Sequence, residues 1–320
     1  MENQEFKKLL KFNGDNSKAV GMFIINQLLT LVTLGIYYPW AKATTLKYTY
    51  GESEYLGTRF EFHGTGKEMF IGFLKAIGVI ILFYALMGGA VWLGINTSMV
   101  VAYLIIAVAY IGFLLLIPAA IHGSNKYRLS RSSWRGIHFG YRGDLKEFTK
   151  LFLKEMFLTI VTIGIYASWF HVSMRKYVLG HTRFGNVEFK FTGIASELFV
   201  IRLKGIILTI LTLGIYGFWY MKDIIAYEVN NTKIVQGEKE ISIRSTLTGG
   251  DIFVMLITNY LIIIFTLGIG FGIALNRIMR VTYSNIEFDS EIDTNNLIQT
   301  EEEYKDAAGD DMLSMLDVSI

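Results

Sequence analysis

Ala76-Ile-Gly-Val-Ile-Ile-Leu-Phe-Tyr-Ala-Leu-Met-Gly-Gly-Ala-Val-Trp-Leu-Gly-Ile95 is followed, after Asn96-Thr-Ser98, by the equally apolar stretch Met99 to Ile121. From Ala76 to Ile121 no side chain is charged. A hydrocarbon core about 30 Å thick needs about 20 predominantly apolar residues per helical crossing. The pair therefore reads as two spanning helices joined by a tight turn, which makes the chain an integral membrane protein. Composition agrees: 52% of the 320 residues are hydrophobic and 18% are charged, whereas a soluble domain carries about a quarter charged residues. There are no cysteines, so disulfides, thiolate metal sites and cysteine nucleophiles are excluded.

Outward from this hairpin the apolar segments number six, near residues 19–41, 69–95, 99–121, 147–170, 198–221 and 252–275. Four carry one motif: Thr33-Leu-Gly-Ile-Tyr37, Thr162-Ile-Gly-Ile-Tyr166, Thr212-Leu-Gly-Ile-Tyr216 and Thr266-Leu-Gly-Ile-Gly270. Recurrence at this level points to an internal repeat.

Aligned on the threonine, the four segments share more. Seven residues earlier stand Asn26, Glu155, Gly205 and Asn259, and three earlier Thr30, Thr159, Thr209 and Ile263. Seven residues later come Trp40, Trp169, Trp219 and Ile273. On a continuous helix these offsets share one stripe, a polar face ending in the pairs Tyr37 and Trp40, Tyr166 and Trp169, Tyr216 and Trp219. Two readings compete. Small and hydroxyl-bearing residues let membrane helices pack closely, with the aromatic ends at the interface. Alternatively Asn26, Thr30, Thr33, Glu155, Thr159, Thr162, Thr209, Thr212, Asn259 and Thr266 line a polar path. Glu155 is the sharpest candidate, because charge at membrane depth is costly and often functional.

Between the segments lie short alternating stretches ending in glycine, such as Thr58-Arg-Phe-Glu-Phe-His-Gly64 and Val187-Glu-Phe-Lys-Phe-Thr-Gly193. Weaker versions start at Trp134 and Ile241. They predict short hairpin strands. The expected fold is an all-α polytopic membrane bundle of about six transmembrane helices, built from repeated helix–elbow–short strand units over residues 1–287. Residues 288–320 hold 10 acidic side chains against Lys305 alone, which predicts a separate, disordered acidic tail. The rest of the chain is basic, 29 against 18, as suits anionic lipid headgroups at the elbows.

The residues Leu28-Leu-Thr-Leu-Val-Thr-Leu-Gly-Ile-Tyr37 with Pro39-Trp-Ala41, and Phe60-Glu-Phe-His-Gly-Thr-Gly66, resemble the YjgN-like family of bacterial inner-membrane proteins. The resemblance runs to about residue 288. It implies a multispanning protein of the bacterial cytoplasmic membrane and supplies no catalytic or binding residues.

No enzyme signature is present. His63, His122, His138, His171 and His181 lack metal-ligand spacing, and Gly64-Thr-Gly66 is not followed by a phosphate-loop lysine. The reading is therefore not an enzyme, with no metal, cofactor or nucleic-acid partner. Topology poses a conflict. Six crossings leave basic residues evenly divided between the two sides, against the positive-inside rule. Breaks at Gly35, Gly164, Gly214 and Gly268 would gather every basic loop on one side, but an unbroken stripe favours six continuous crossings. On that basis a transporter or channel-like permease lined by the Thr/Glu face is expected. The alternative is a non-transporting scaffold or envelope-associated partner whose basic elbows bind lipid.

Overall fold

Thr33, Thr162, Thr212 and Thr266 each end a helix. In the computed structural model, which describes residues 5–301, the next two residues are left-handed. Leu34, Ile163, Leu213 and Leu267 have φ of 51, 51, 50 and 51°, and the glycines after them 92, 86, 95 and 91°. Two such residues in succession reverse the chain, and a second helix runs back beside the first.

In chain order the elements begin β1 (Leu10–Phe12), α1 (Asn16–Val32), α2 (Tyr38–Gly51), β2 (Ser53–Tyr55), β3 (Thr58–Phe62), α3 (Gly66–Asn96), α4 (Met99–Ser130), β4 (Ser132–Trp134) and β5 (Ile137–Tyr141). They continue α5 (Leu145–Val161), α6 (Ala167–Gly180), β6 (Thr182–Phe184), β7 (Val187–Phe191), α7 (Ala195–Leu211) and α8 (Gly217–Asn230). The last are β8 (Thr232–Gln236), β9 (Lys239–Ser245), α9 (Gly249–Phe265), α10 (Phe271–Ser284) and β10 (Ile286–Phe288).

The expectation of an all-α bundle with six transmembrane helices is overturned on two counts. The segments at 19–41, 147–170, 198–221 and 252–275 are each two shorter helices of 17 and 14 residues, folded back at the motif. Only Gly66–Asn96 and Met99–Ser130 are long and apolar enough to cross a membrane among the described residues. The short strands, for their part, are not ornaments between helices. They form one ten-stranded sheet in the order β1 to β10, with antiparallel neighbours. Lys7 and Phe288 exchange backbone hydrogen bonds of 2.8 and 2.9 Å, and this bridge brings the last strand back to the first. The result is a small, nearly closed barrel.

Alternation in the strands fills that barrel. Val187 and Ile241 are fully buried, Trp134 is 1% exposed, and Tyr55, Phe184 and Ile234 pack with them. Trp134 Nε1 donates to Thr58 O at 3.0 Å, as a buried indole requires. Burial pushes the Tyr55 hydroxyl above its usual range. Chain continuity places the helices at one rim and the β-turns at the other. Around the helical rim α1 packs on α2, α2 on α3 and so on to α10, which packs on α1. Polar side chains knit the closing seam: Asn276, fully buried, accepts from the Tyr48 hydroxyl at 3.0 Å and donates to Asn16 at 3.1 Å.

Residues 289–301, which composition assigns to the acidic tail, lie along the β-turn rim. Ile292 is buried against the barrel core and its amide donates to Tyr55 Oη. Asp293 exchanges backbone bonds with the Gln236 side chain, and Thr300 donates to Gly185 O at 2.7 Å. The remainder of the expected tail, 302–320, lies outside the described residues, as do residues 1–4.

Candidate functional site

Each motif threonine makes the same two bonds. The hydroxyls of Thr33, Thr162, Thr212 and Thr266 donate to the carbonyl four residues back at 2.7, 2.8, 2.7 and 2.6 Å. They accept the amide four residues on, from Tyr37, Tyr166, Tyr216 and Gly270, at 3.0, 3.0, 2.9 and 2.7 Å. The hydroxyl thus joins the last turn of one helix to the start of the next. Thr30 and Thr159 bond to the carbonyls of Asn26 and Glu155 on their own helices. Thr209 Oγ1 is buried with no partner among the described residues.

The positions seven residues before the threonine face the returning helix. The side-chain amides of Asn26 and Asn259 reach the carbonyls of Ala41 and Ala274, both at 3.4 Å. At Gly205 a Cβ would sit 2.0 Å from the Tyr220 ring, so glycine admits the close crossing there. Glu155 occupies the same position in its hairpin and is 3% exposed. Its Oε1 lies 3.9 Å from Lys154 Nζ, and Oε2 is buried without a partner among the described residues. A buried carboxylate oxygen left unpaired is costly, so among the stripe atoms without a partner, which include Thr209 Oγ1 and Asn259 Oδ1, that of Glu155 is the one on an ionisable group.

The aromatic ends stack within each pair. Tyr37 on Trp40, Tyr166 on Trp169 and Tyr216 on Trp219 have ring centroids 6.0, 5.6 and 6.3 Å apart. The tryptophans also face the next hairpin: Trp40 lies against Gly66, Trp219 against Gly249, and Trp169 against Phe199. The structure thus places the stripe in four separate hairpins, of which the first three have their own aromatic pair.

Other polar contacts fasten the hairpins at their bases. Fifteen residues after the motif threonine stand Tyr48, Tyr177 and Tyr227. Their hydroxyls donate to the carbonyls of Asp15, Asp144 and Ile194 at 2.9, 2.9 and 3.0 Å. Each pins the base of a returning helix to the start of the outgoing one, and the shared offset is a signal that could have found them. Tyr127 plays a comparable part in the long hairpin, donating to Glu68 at 3.1 Å beside the Arg131–Glu68 ion pair. Between α6 and α8, Glu228 holds His171 and Arg175 together. No group of three His, Asp or Glu side chains is arranged to hold a metal among the described residues.

Long apolar helices with their side chains uncovered, standing with helical hairpins on one rim of a filled barrel, define a membrane protein. The chain belongs to the YjgN-like family of bacterial proteins of unknown function (DUF898), whose model matches residues 7–191, 186–239 and 224–315. It is similar to the inner membrane protein YjgN of Escherichia coli O157:H7, 29% identical over 135 residues, which are 42% of this chain and 31% of that protein. The YjgN of E. coli K12 is 27% identical over 137 residues, 43% of this chain and 32% of the relative. That of Salmonella typhimurium LT2 is 29% identical over 139 residues, with the same shares. The match thus spans about a third of the length of these relatives. No solved structure matches the chain.

Proposed function

We propose that this protein is a non-transporting scaffold of the bacterial cytoplasmic membrane, anchored across the bilayer by α3–α4 and seated on anionic lipid through the basic side chains of its hairpin bases. The observation that carries this reading is the fate of the polar stripe. Its motif hydroxyls are spent on capping turns inside separate hairpins, and the barrel beneath is filled by Trp134, Val187 and Ile241. A path for solute would need converging, unspent polar groups.

Charge supports the same reading. All Lys and Arg lie outside Ala76–Ile121, so with one spanning hairpin they gather on the barrel side, which the positive-inside rule makes cytoplasmic. The relatives' description as inner membrane proteins supports the same location. A basic side chain near an anionic leaflet contributes about 1 kcal/mol. The test is thermal unfolding after reconstitution with phosphatidylglycerol or with phosphatidylcholine alone. Stabilisation by the anionic lipid, reduced in Lys154→Gln/Lys204→Gln, is expected; equal stability in both lipids would refute it. The second reading, a permease, rests on the unpaired oxygen of Glu155, and a proton or cation flux into vesicles abolished by Glu155→Gln would favour it.

A further inference from the structure

Lys75, Lys154 and Lys204 stand at the same step of their helices, each nine residues beyond the first residue, Gly66, Leu145 and Ala195. At 1.5 Å per residue all three lie about 14 Å along the axis from the barrel rim. Above that level α3 runs from Lys75 to Asn96 without charge, a rise of about 32 Å, enough for a full hydrocarbon core of about 30 Å. Above the same level α5 and α7 have only the eight residues to Thr162 and Thr212, a rise of about 12 Å and somewhat less than half that core.

We infer that the four short hairpins insert into a single leaflet, the one facing the barrel, and that only α3–α4 crosses. The partner surface is a phospholipid leaflet whose headgroups lie at the lysine level. This rests on the scaffold reading for the identity of the headgroups but not for the depth.

The turns are built for that position. Leu34, Ile163, Leu213 and Leu267, at the tips, are 93, 93, 96 and 93% exposed. Irregular backbone in hydrocarbon is excluded where its polar groups stay unpaired. Here the amide of Gly214 bonds to Thr209 O, Leu213 to Ile210 O, Ile215 to Thr212 O and Tyr216 to the Thr212 hydroxyl. The same pattern holds at the other three tips. The amides of the turn therefore need no water and no covering protein. A left-handed Leu or β-branched Ile is uncommon, and in water Asn or Gly would suit that φ better. An apolar side chain at the strained position makes sense where the tip is surrounded by acyl chains. Eight short helices then displace lipid from one leaflet while two long ones displace it from both, which makes the protein a one-sided wedge.

The test uses the cysteine-free full chain with single substitutions Leu34→Cys, Leu213→Cys or Thr97→Cys, each labelled with an environment-sensitive fluorophore. The labelled proteins are reconstituted in vesicles whose lipids carry a nitroxide at the headgroup, mid-chain or chain end. Chain-end nitroxide should quench Leu34→Cys and Leu213→Cys most, and headgroup nitroxide should quench Thr97→Cys most. Strongest quenching of both tips by the headgroup nitroxide would overturn the inference, whether the tips lie on the near surface or reach the far one. Running both tips guards against one variant that misfolds. Repeating the series in neutral vesicles separates the claims: depth retained there with no anionic-lipid stabilisation would sink the scaffold reading alone.

Discussion

The amide of Tyr166 donates to the hydroxyl of Thr162 at 3.0 Å while that hydroxyl donates to Leu158 O at 2.8 Å, so one side chain closes a helix and opens the next. The geometry predicts that the hydroxyl of Thr162 matters. Thr162→Ser keeps both bonds and should be nearly neutral. Thr162→Val keeps the volume and loses both, at about 1–2 kcal/mol by analogy with helix caps. Reversible unfolding in detergent, with Val as stable as Ser, would remove the hydroxyl from the account.

The segment 289–301 should be part of the stable fold. Truncation after Phe288 removes Ile292 from the core around Tyr55 and leaves the Gln236 side chain without Asp293. Ile292→Ala alone should cost about 2–3 kcal/mol, in the range for a buried aliphatic side chain cut to Ala. An unchanged melting temperature for the truncated protein would show that the strap is not docked.

Acid should loosen the same strap. The Asn296 side chain and the backbone amide of Asn295 hold the Asp293 carboxyl below its usual range. A carboxylate with a folded pKa lower than its unfolded one adds stability above the unfolded value and loses it as pH falls through the folded value. Amide exchange at Asn295 and Asn296 should therefore quicken as pH drops below about 4, after correction for intrinsic rates, and Asp293→Asn should remove the dependence.

The tyrosine staples should act independently because they sit in different hairpins. Tyr48→Phe, Tyr177→Phe and Tyr227→Phe each lose one hydroxyl-to-backbone-carbonyl bond, at about 1 kcal/mol apiece, and Tyr48→Phe loses the contact with Asn276 as well. Additive losses in the double variants would agree with separate staples; strong coupling would mean the hairpins unfold as one linked unit.

The sequence carried the membrane class, the long hairpin, the motif threonines and the alternating strands. It did not carry the fold, for reasons local to a few residues. The turn at Thr33 to Tyr37 keeps helical spacing in the sequence, so Thr33, Tyr37 and Trp40 look like one continuous stripe although Leu34 and Gly35 reverse the chain. A leucine in a left-handed conformation gives no signal comparable to Asn-Gly. Strands such as Ser53–Tyr55, Ser132–Trp134 and Thr182–Phe184 have three residues each, too few to show a period of two. Closure by Lys7 and Phe288 joins residues at opposite ends of the described chain. The stripe residues were found by recurrence, but their pairing within separate hairpins depends on the same hidden reversal.

The central claim is that every β-turn of the barrel lies on one side of the membrane and the α3–α4 turn on the other. Single cysteines at Arg135, Asn186 and Glu238, in three of the β-turns, and at Thr97, in the α3–α4 turn, can be probed in whole cells with a membrane-impermeant thiol reagent. Thr97→Cys should be labelled from outside, and the other three only after the cytoplasmic membrane is permeabilised. Six continuous crossings would instead place Asn186 on the same side as Thr97 and opposite Arg135 and Glu238, and that labelling pattern would contradict the account.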